Sequence, residues 1–315
     1  MSTMIQKEDL IATHQRITPF IHETPIFTSH LLNGIAEAEL FFKCENFQRM
    51  GAYKMRGATN AILQLTKEQR EKGVVTHSSG NFAQALSLAA KSLGVKAYIV
   101  MPSSAPQVKK DAVKGYGGTI IECEPTLGAR NTMAQEIQSE TGATFIHPSN
   151  DRNVIAGQGT ACMELLREQP DLDVVVVPVG GGGLIAGTAL AAHHFGNDCK
   201  VVGAEPFEVD DAYRSLKSGK IESNDTTNTI ADGLKTQLGD KSFPLIQKYV
   251  EGIVRVGEDE IIAAMKLVWE RMKIVIEPSS AVAFAAVLRK KNRFIDKKVG
   301  IIISGGNVDL KNLPF

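Results

Sequence analysis

Nine short apolar runs recur along the chain, and most of them are continuous rather than alternating in polarity. Continuous runs are typical of strands buried on both faces, and many of these runs are separated by one helix-length stretch, as parallel strands require. The pattern predicts an α/β protein with open, mostly parallel sheets flanked by helices. The predicted strands are residues 40–44, 74–77, 97–101, 119–122, 144–147, 174–179, 201–205, 253–256 and 299–304.

Composition limits what such a fold can bind. The 315 residues, enough for about two domains, carry 35 Lys and Arg against 35 Asp and Glu, so no net charge attracts nucleic acid or an anionic membrane. The four cysteines lack Cys-x-x-Cys spacing, which argues against a disulfide framework or zinc site and favours the cytoplasm. Residues 174–197 are uncharged and long enough to span a bilayer, but Pro178 and four glycines interrupt them. We therefore predict a strand, a loop and a helix there, and a small-molecule ligand.

A run of four glycines follows the predicted strand 174–179. Glycines between a strand and a helix leave backbone N–H groups unshielded at the helix start, where a phosphate gains from free donors and from the helix dipole. We call this run the glycine loop; it consists of Gly180, Gly181, Gly182 and Gly183.

The glycine loop leaves two kinds of cofactor open. It lacks the Lys-Ser/Thr of a nucleotide P-loop, but the spacing of Gly181, Gly183 and Ala186 matches a dinucleotide fingerprint, and Glu205 ends the next predicted strand, where a ribose-binding acid lies. An NAD-dependent dehydrogenase is therefore an alternative.

Three further segments follow or flank predicted strands. Lys54 lies in the segment 51–58, and two Ser/Gly/Asn turns occupy residues 78–81 and 304–307. Alone, each is typical of a surface lysine, a helix cap or a turn. Together with the glycine loop they supply a phosphate cradle, an amine nucleophile and hydroxyl groups at strand ends, which is what a pyridoxal phosphate site needs.

From about Thr24 to Asp309 the chain resembles the fold type II pyridoxal-phosphate enzymes, specifically the serine racemase and serine/threonine dehydratase branch. The resemblance implies a tryptophan synthase β-like fold, with a large cofactor domain at residues 1–68 and 150–315 and a small domain at 72–149. It also implies a homodimer that acts on a small amino acid, and it makes the glycine loop a phosphate cup. The matching stretches are residues 42–45, 52–58, 78–81, 155–160, 180–183, 229–233 and 304–307.

The resemblance assigns roles around pyridoxal 5′-phosphate. Lys54 is expected to form the Schiff base and then to act as the base at the substrate Cα, which requires a lowered pKa. Asn81 is expected to bind the ring 3′-oxygen, and Tyr53 and Gly233 to flank the ring. Ser304 is expected to face the pyridine nitrogen; because a serine hydroxyl is a weak acid, this pairing favours β-elimination over a long-lived carbanion.

The substrate is expected to lie at the start of the helix that follows residues 78–81. Its carboxylate would rest on Ser78, Asn81 and backbone N–H groups. Ser79 takes the position of the acid/base on the cofactor face opposite the lysine, where racemases carry Ser and simple dehydratases often carry Ala, so racemisation beside elimination is an alternative. Glu205, the carbonyl of Val209 and Asp211 match a cation site, and such oxygen ligands suit Mg²⁺ or Ca²⁺.

Three positions bear on the choice of substrate: at two of them the sequence differs from the usual pattern of the family, and at the third it matches. Phe82 replaces the His that usually follows Ser-x-Gly-Asn, and Met50 replaces a small polar residue, which makes nucleotide activation doubtful. Phe82 removes a polar group that could reach a β-hydroxyl or side-chain carboxylate, which keeps a substrate with a larger or less polar side chain, such as a phenylserine, among the alternatives. Arg130 fits the position of a substrate-proximal arginine and could attract the acidic side chain of hydroxyaspartate.

The sequence therefore predicts a pyridoxal-phosphate-dependent dehydratase that converts a small L-β-hydroxy-α-amino acid, first L-serine or L-threonine, to a 2-keto acid and ammonia. The alternatives are a serine racemase that is also a dehydratase, and a hydroxyaspartate or phenylserine dehydratase. A dehydrogenase and a noncatalytic ligand-binding protein of the same fold are more remote.

Overall fold

The computed structural model of the chain describes residues 5–315. Within them the strands are β1 Ile26–Phe27, β2 Glu39–Cys44, β3 Val74–His77, β4 Ala97–Pro102, β5 Thr119–Cys123, β6 Thr144–Phe145, β7 Val174–Pro178, β8 Lys200–Pro206, β9 Gly252–Val256 and β10 Lys298–Ile303. The α-helices are α1 Lys7–Ile17, α2 His30–Ala36, α3 Lys54–Leu63, α4 Lys67–Lys72, α5 Asn81–Ser92, α6 Gln107–Gly115, α7 Leu127–Thr141, α8 Arg152–Glu168, α9 Gly183–Phe195, α10 Asp211–Ser218, α11 Phe243–Tyr249, α12 Glu258–Met272 and α13 Pro278–Arg289.

Two sheets organise the described residues. One has six strands in the order β1-β2-β10-β7-β8-β9, and the other has four in the order β5-β4-β3-β6. All neighbouring pairs are parallel except β1 and β2. The predicted α/β class with open, mostly parallel sheets is confirmed.

The continuous apolar run of β7 has a direct cause in the packing. Val174 and Val176 lie in one apolar cluster with α12 and α13, whereas Val175 and Val177 lie in another with α8 and α9. Both faces of the strand are buried, so its sequence does not alternate.

One predicted strand is shorter in the structure, and one observed strand was not predicted. The run 144–147 is a strand only over Thr144–Phe145, because the ring nitrogen Nδ1 of His147 accepts the backbone N–H groups of Ser149 and Asn150, at 3.2 and 2.8 Å, and turns the chain. Ile26–Phe27, which pairs antiparallel with β2, was not predicted because two residues are too short to show a pattern.

Close helix packing sets the position of Lys54 and of the glycine loop. A Cβ added at Gly157 of α8 would lie 2.6 Å from the Cα of Gly57 in α3, and one at Gly159 would lie 2.7 Å from the carbonyl oxygen of Gly187 in α9. These contacts leave no room for side chains, so α3 and α9 both pack against the backbone of α8.

A buried ion network fixes the beginning of α3 to its neighbours. Arg56 donates to Glu45 of the segment after β2, at 2.7 Å, and to Glu164 of α8, at 2.6 Å. Lys43 of β2 pairs with the other oxygen of Glu164 at 2.7 Å. Each of these side chains is fully buried, and removing one partner would leave an uncompensated charge in the core.

Residues 174–197 form the predicted strand, loop and helix, as β7, the glycine loop and α9. Among residues 5–315, none of the helices has the length and apolar character needed to cross a bilayer.

Candidate active site

Lys54 is the first residue of α3, and its amine is enclosed by three groups. Nζ donates a hydrogen bond to the carbonyl oxygen of Pro148 at 2.8 Å. The ring centroids of Tyr53 and Phe82 lie 5.1 and 5.7 Å from the same nitrogen. Burial lowers the pKa of Lys54 to about 8, against a smaller opposite effect of the Glu277 carboxyl. Near pH 8 a large share of the amine is therefore neutral and nucleophilic, as the predicted role requires.

The turn after β10 lies directly beside the lysine segment. The backbone N–H of Tyr53 donates to the carbonyl oxygen of Ser304 at 3.0 Å, and Ala52 forms an isolated bridge with Gly305. The Ser304 hydroxyl is buried and lies 2.9 Å from the hydroxyl of Ser280 in α13. The structure thus brings Ser304 and Lys54 together, as predicted, and adds Ser280, which the sequence did not reveal.

The glycine loop presents free donors at the start of α9. Within residues 5–315, none of its four backbone N–H groups has a hydrogen-bond acceptor. A Cβ at Gly181 would lie 2.2 Å from Oγ of Ser149, and one at Gly183 would lie 2.8 Å from the carbonyl oxygen of Ser149. The loop is therefore a shallow cup that only glycine can line, and its unshared N–H groups fit a phosphate.

Other loops close around this cup. A Cβ at Gly180 would lie 3.0 Å from the carbonyl oxygen of Gly233 and 3.3 Å from Oγ1 of Thr236, and one at Gly182 would lie 2.5 Å from Oγ of Ser242. Gly233 itself donates to Ser279 of α13 at 3.0 Å. Gly233 therefore lies beside the glycine loop, and its contact with a cofactor ring remains a prediction.

The segment after β6 connects the amine to the cup. Pro148 accepts the hydrogen bond from Lys54, and the next residue, Ser149, packs against Gly181 and Gly183. Short hydroxyl side chains in loops carry no distinctive sequence signal, so Ser149, Thr236 and Ser242 could not be identified before folding placed them here.

The segment 78–81 lies between β3 and α5. Ser78 and Ser79 are half-buried, and the Ser78 hydroxyl accepts the N–H of Gly80 at 3.4 Å. Asn81 is the first residue of α5, and its amide nitrogen donates to the Glu277 carboxyl at 2.9 Å. These residues lie at a helix start, where an anion is favoured.

Phe82 and Met50, which were predicted to lie near the substrate or effector surface, are both buried. Phe82 is 2% exposed and packs in the apolar cluster beneath α5, with its ring directed toward the amine of Lys54. Met50 is 7% exposed. A contact of Phe82 with substrate remains a prediction.

Arg130 lies in the first turns of α7. Its Nε donates to the carbonyl oxygen of Thr126 at 3.3 Å, within the same helix end. Its charge adds to burial in lowering the pKa of His77, the last residue of β3, so Arg130 lies near the strand end that leads into Ser78. Its predicted contact with substrate remains a prediction.

The predicted cation ligands form a buried acidic pair. Glu205 of β8 accepts the backbone N–H groups of Ala212 and Tyr213 at 3.2 and 2.8 Å. Asp211 accepts the N–H of Leu238 at 3.0 Å and the side-chain amide of Asn224 at 2.6 Å. Both are fully buried, and no ion pair to Lys, Arg or His involves either within the described chain.

Within residues 5–315 no cationic side chain pairs with these two carboxyls, and burial favours their neutral forms. Burial raises the pKa of Glu205 well above its ordinary value, with the Asp211 carboxylate adding to the effect, and burial raises the pKa of Asp211 to about 6. No cluster of three or more His, Cys, Asp and Glu side chains suited to a metal occurs in residues 5–315. The predicted set has only two carboxylates and the carbonyl of Val209, a donor set of the oxygen type that Mg²⁺ and Ca²⁺ use.

Known proteins resemble this chain over most of its length. The family described as "pyridoxal-phosphate dependent enzyme" matches residues 17–305. The chain is 50% identical over 308 residues to the β-hydroxyaspartate dehydratase of Paracoccus denitrificans (strain Pd 1222), covering 98% of each chain.

Two solved structures share the whole fold. The serine racemase from Dictyostelium discoideum superimposes with a TM-score of 0.93 and 51% identity, over 97% of this chain and 99% of that chain. The maize serine racemase superimposes with a TM-score of 0.95 and 44% identity, over 97% of this chain and 94% of that chain.

A threonine deaminase also shares the fold. Isoform 2 from Solanum lycopersicum, in its processed form, superimposes with a TM-score of 0.90 and 33% identity, over 99% of this chain and 93% of that chain.

Proposed function

Because the chain belongs to the family of pyridoxal-phosphate-dependent enzymes, we propose that it removes water and then ammonia from a small L-β-hydroxy-α-amino acid. L-Serine and L-threonine are the first substrates to test, and the product is a 2-keto acid. The observation that carries the proposal is a nucleophilic amine beside a phosphate-sized cup. Burial lowers the pKa of Lys54 to about 8, and its Nζ donates to Pro148. The next residue, Ser149, packs against the glycine loop, whose four backbone N–H groups have no acceptor among the described residues.

The residues present fit pyridoxal 5′-phosphate. The glycine loop would hold the phosphate, since its N–H groups are free and a Cβ at Gly181 or Gly183 would fill the cup. Tyr53 and Gly233 would flank the ring, and Asn81 and Ser304 would bind its polar atoms. When bound, the cofactor supplies an aldehyde that condenses with an amine and a ring that withdraws electrons from the substrate Cα.

Lys54 would move the Cα proton in the proposed reaction. Its Nζ is held by the Pro148 carbonyl, and its lowered pKa makes the neutral base available near pH 8. Among the described residues, Ser280 is the one hydrogen-bond partner of the Ser304 hydroxyl, and a serine hydroxyl is too weak an acid to supply a full proton to the ring nitrogen. The site therefore favours prompt loss of the β-hydroxyl, after which the released enamine hydrolyses in water to the keto acid and ammonia.

The start of α5 would receive the substrate carboxylate. The hydroxyl groups of Ser78 and Ser79 and the backbone N–H of Asn81 lie there, and the helix dipole adds to their attraction. Elimination and racemisation both begin with this binding mode.

Racemisation is the second candidate, because a serine racemase is 51% identical over the full fold. Inversion needs a proton donor on the face opposite Lys54, and Ser79 is the hydroxyl proposed for it. We expect Ser79→Ala to suppress D-serine formation at least about tenfold more than keto-acid formation. Chiral analysis and keto-acid assay on the same sample measure both rates, and equal losses would contradict the assignment.

An acidic substrate is the third candidate. Arg130 lies near the strand end that leads into Ser78, and a β-hydroxyaspartate dehydratase is among the relatives. A phenylserine remains open because Phe82 is apolar. Purified holoenzyme should be given L-serine, D-serine, L-threonine, the hydroxyaspartates and phenylserine, with keto acid and enantiomer measured together. If none releases keto acid or inverts, the chain is a ligand-binding protein of this fold.

The burial of Glu205 argues against the NAD-dependent dehydrogenase, which needs this residue to bind a ribose. Glu205 is fully buried and accepts two backbone N–H groups of α10, so it is not accessible to a ribose. The glycine loop is then better explained as a phosphate cup for pyridoxal phosphate.

A divalent cation between Glu205 and Asp211 belongs to the same proposal. Two buried carboxylates without a cationic partner are costly, and Mg²⁺ or Ca²⁺ would compensate them. At about one hundred times its dissociation constant, a cation that binds only the folded chain adds about 2.7 kcal/mol, so the unfolding midpoint should rise by several degrees.

Asp211→Asn should abolish that rise, whereas Glu208→Gln, an exposed neighbour, should leave it unchanged. Thermal unfolding with and without each cation is the measurement. A rise that persists in Asp211→Asn would place the cation elsewhere.

The division into two sheets supports two domains. They are the large domain at 1–68 and 150–315 and the small domain at 72–149; residues 1–4 lie outside the described chain. The homodimer would be tested by light scattering of the holoenzyme. The cytoplasm is supported by four free cysteines, at positions 44, 123, 162 and 199.

A further inference from the structure

A buried carboxyl that the proposed reaction does not use lies next to the site. Glu277, which is 3% exposed, precedes α13. Its two oxygens accept the side-chain N–H of Asn81, at 2.9 and 3.1 Å, and one of them accepts the backbone N–H of Asn307 at 3.2 Å. Asn81 comes from a distant part of the chain, 196 positions before Glu277.

The hydrogen bonds fix which way the Asn81 amide points. Nδ2 of Asn307 donates to the backbone carbonyl of Met50 and to Oδ1 of Asn81, both at 2.9 Å. A backbone carbonyl can only accept, so the orientation of the Asn307 amide is determined and its two N–H groups are used. The oxygen of Asn81 must then face Asn307, and its nitrogen must face Glu277.

Close packing keeps the two supporting side chains in place. A Cβ at Gly305 would lie 2.9 Å from Oε1 of Glu277, and one at Gly51 would lie 2.8 Å from Oδ1 of Asn307. Gly51 also has a φ of +77°, in the left-handed region that favours glycine. The backbone at Gly305 therefore packs against the Glu277 carboxyl, and the backbone at Gly51 packs against the Asn307 amide. Neither side chain can turn toward these glycines without a shift of the backbone.

We propose that Glu277 and Asn307 are positioning residues that hold the Asn81 amide with its nitrogen toward the ring oxygen of pyridoxal phosphate. One N–H of Asn81 is directed to Glu277, and the second remains for the cofactor. This inference rests on the proposed function, in which Asn81 binds the ring. It also ties cofactor binding to the two sheets, because Asn81 follows β3 of one sheet and Asn307 follows β10 of the other.

A double-mutant cycle tests whether Glu277 acts through Asn81. The apoproteins of wild type, Glu277→Gln, Asn81→Ala and the double variant are titrated with pyridoxal phosphate and followed by its visible absorbance. The titration is run at pH about 9, above the pKa of about 8 that burial gives both Glu277 and Lys54. Glu277→Gln should weaken binding about tenfold in the wild-type background and less than about twofold in Asn81→Ala.

Equal losses in both backgrounds would overturn the inference, because Glu277 would then act independently of Asn81. Glu124→Gln, at an exposed position, is the matched control and should bind as wild type does. If Glu277→Gln fails to fold, Asn307→Ala and its double variant with Asn81→Ala replace it, with an expected loss of at least about threefold that again disappears without Asn81.

The same titration separates this inference from the proposed function. If the wild-type chain gives no cofactor absorbance, the proposed function fails and the inference fails with it. If the wild type binds and the losses are additive, only the positioning role is overturned.

Discussion

Replacing Lys54 with alanine is expected to lower keto-acid release at least about a thousandfold while the protein stays folded. In the proposed mechanism the variant loses both the amine that holds the cofactor and the base at Cα. Among the described residues, no second amine donates to Pro148 or lies over the rings of Tyr53 and Phe82. The measurement is the steady-state rate with the best substrate of the panel, together with the thermal unfolding midpoint.

The fold should tolerate this change. Burial lowers the pKa of Lys54, so the charged amine does not stabilise the folded state and its removal should shift the midpoint by only a few degrees. Lys67→Ala, at an exposed position of α4, is the matched control and should keep the wild-type rate. A Lys54→Ala variant with wild-type turnover would remove this residue from the mechanism.

Gly183→Ala is expected to weaken pyridoxal phosphate binding about a hundredfold. The new methyl would lie 2.8 Å from the backbone carbonyl oxygen of Ser149, which cannot move aside as a flexible side chain could. Either the loop after β6 or the start of α9 must shift. Overpacking of this kind costs ~1–3 kcal/mol, and the upper end of that range corresponds to a dissociation constant about a hundredfold larger. Titration of the apoprotein measures the loss.

A second glycine supplies the control for that variant. In the described part of the chain, no atom lies within 4 Å of a Cβ added at Gly34 of α2, so Gly34→Ala should leave cofactor binding unchanged. Wild-type affinity in Gly183→Ala would contradict the cup as the phosphate site.

The sequence predicted the parts of this fold that depend on local pattern. The uninterrupted valines of β7 indicate a strand buried on both faces, and the structure packs helices on each. Likewise, the four glycines between β7 and α9 predicted a helix start with free donors, because no other residue leaves its N–H groups so exposed.

The parts that were missed depend on distant residues. In the sequence, Glu277 is an ordinary acid before a proline-started helix, and only folding brings Asn81 and Asn307 to its oxygens. Ser149 was also missed for this reason, because its contact with Gly183 forms only when α8 and α9 pack together. The strand predicted over 144–147 was too long because the His147 side chain takes two backbone donors, which residue type alone does not show.

The most direct test of the account is to treat the cofactor-loaded protein with borohydride, digest it and locate the modified peptide by mass spectrometry. A single reduced pyridoxyl adduct is expected, on Lys54. A protein that carries no adduct, or carries it on a different lysine, would contradict it.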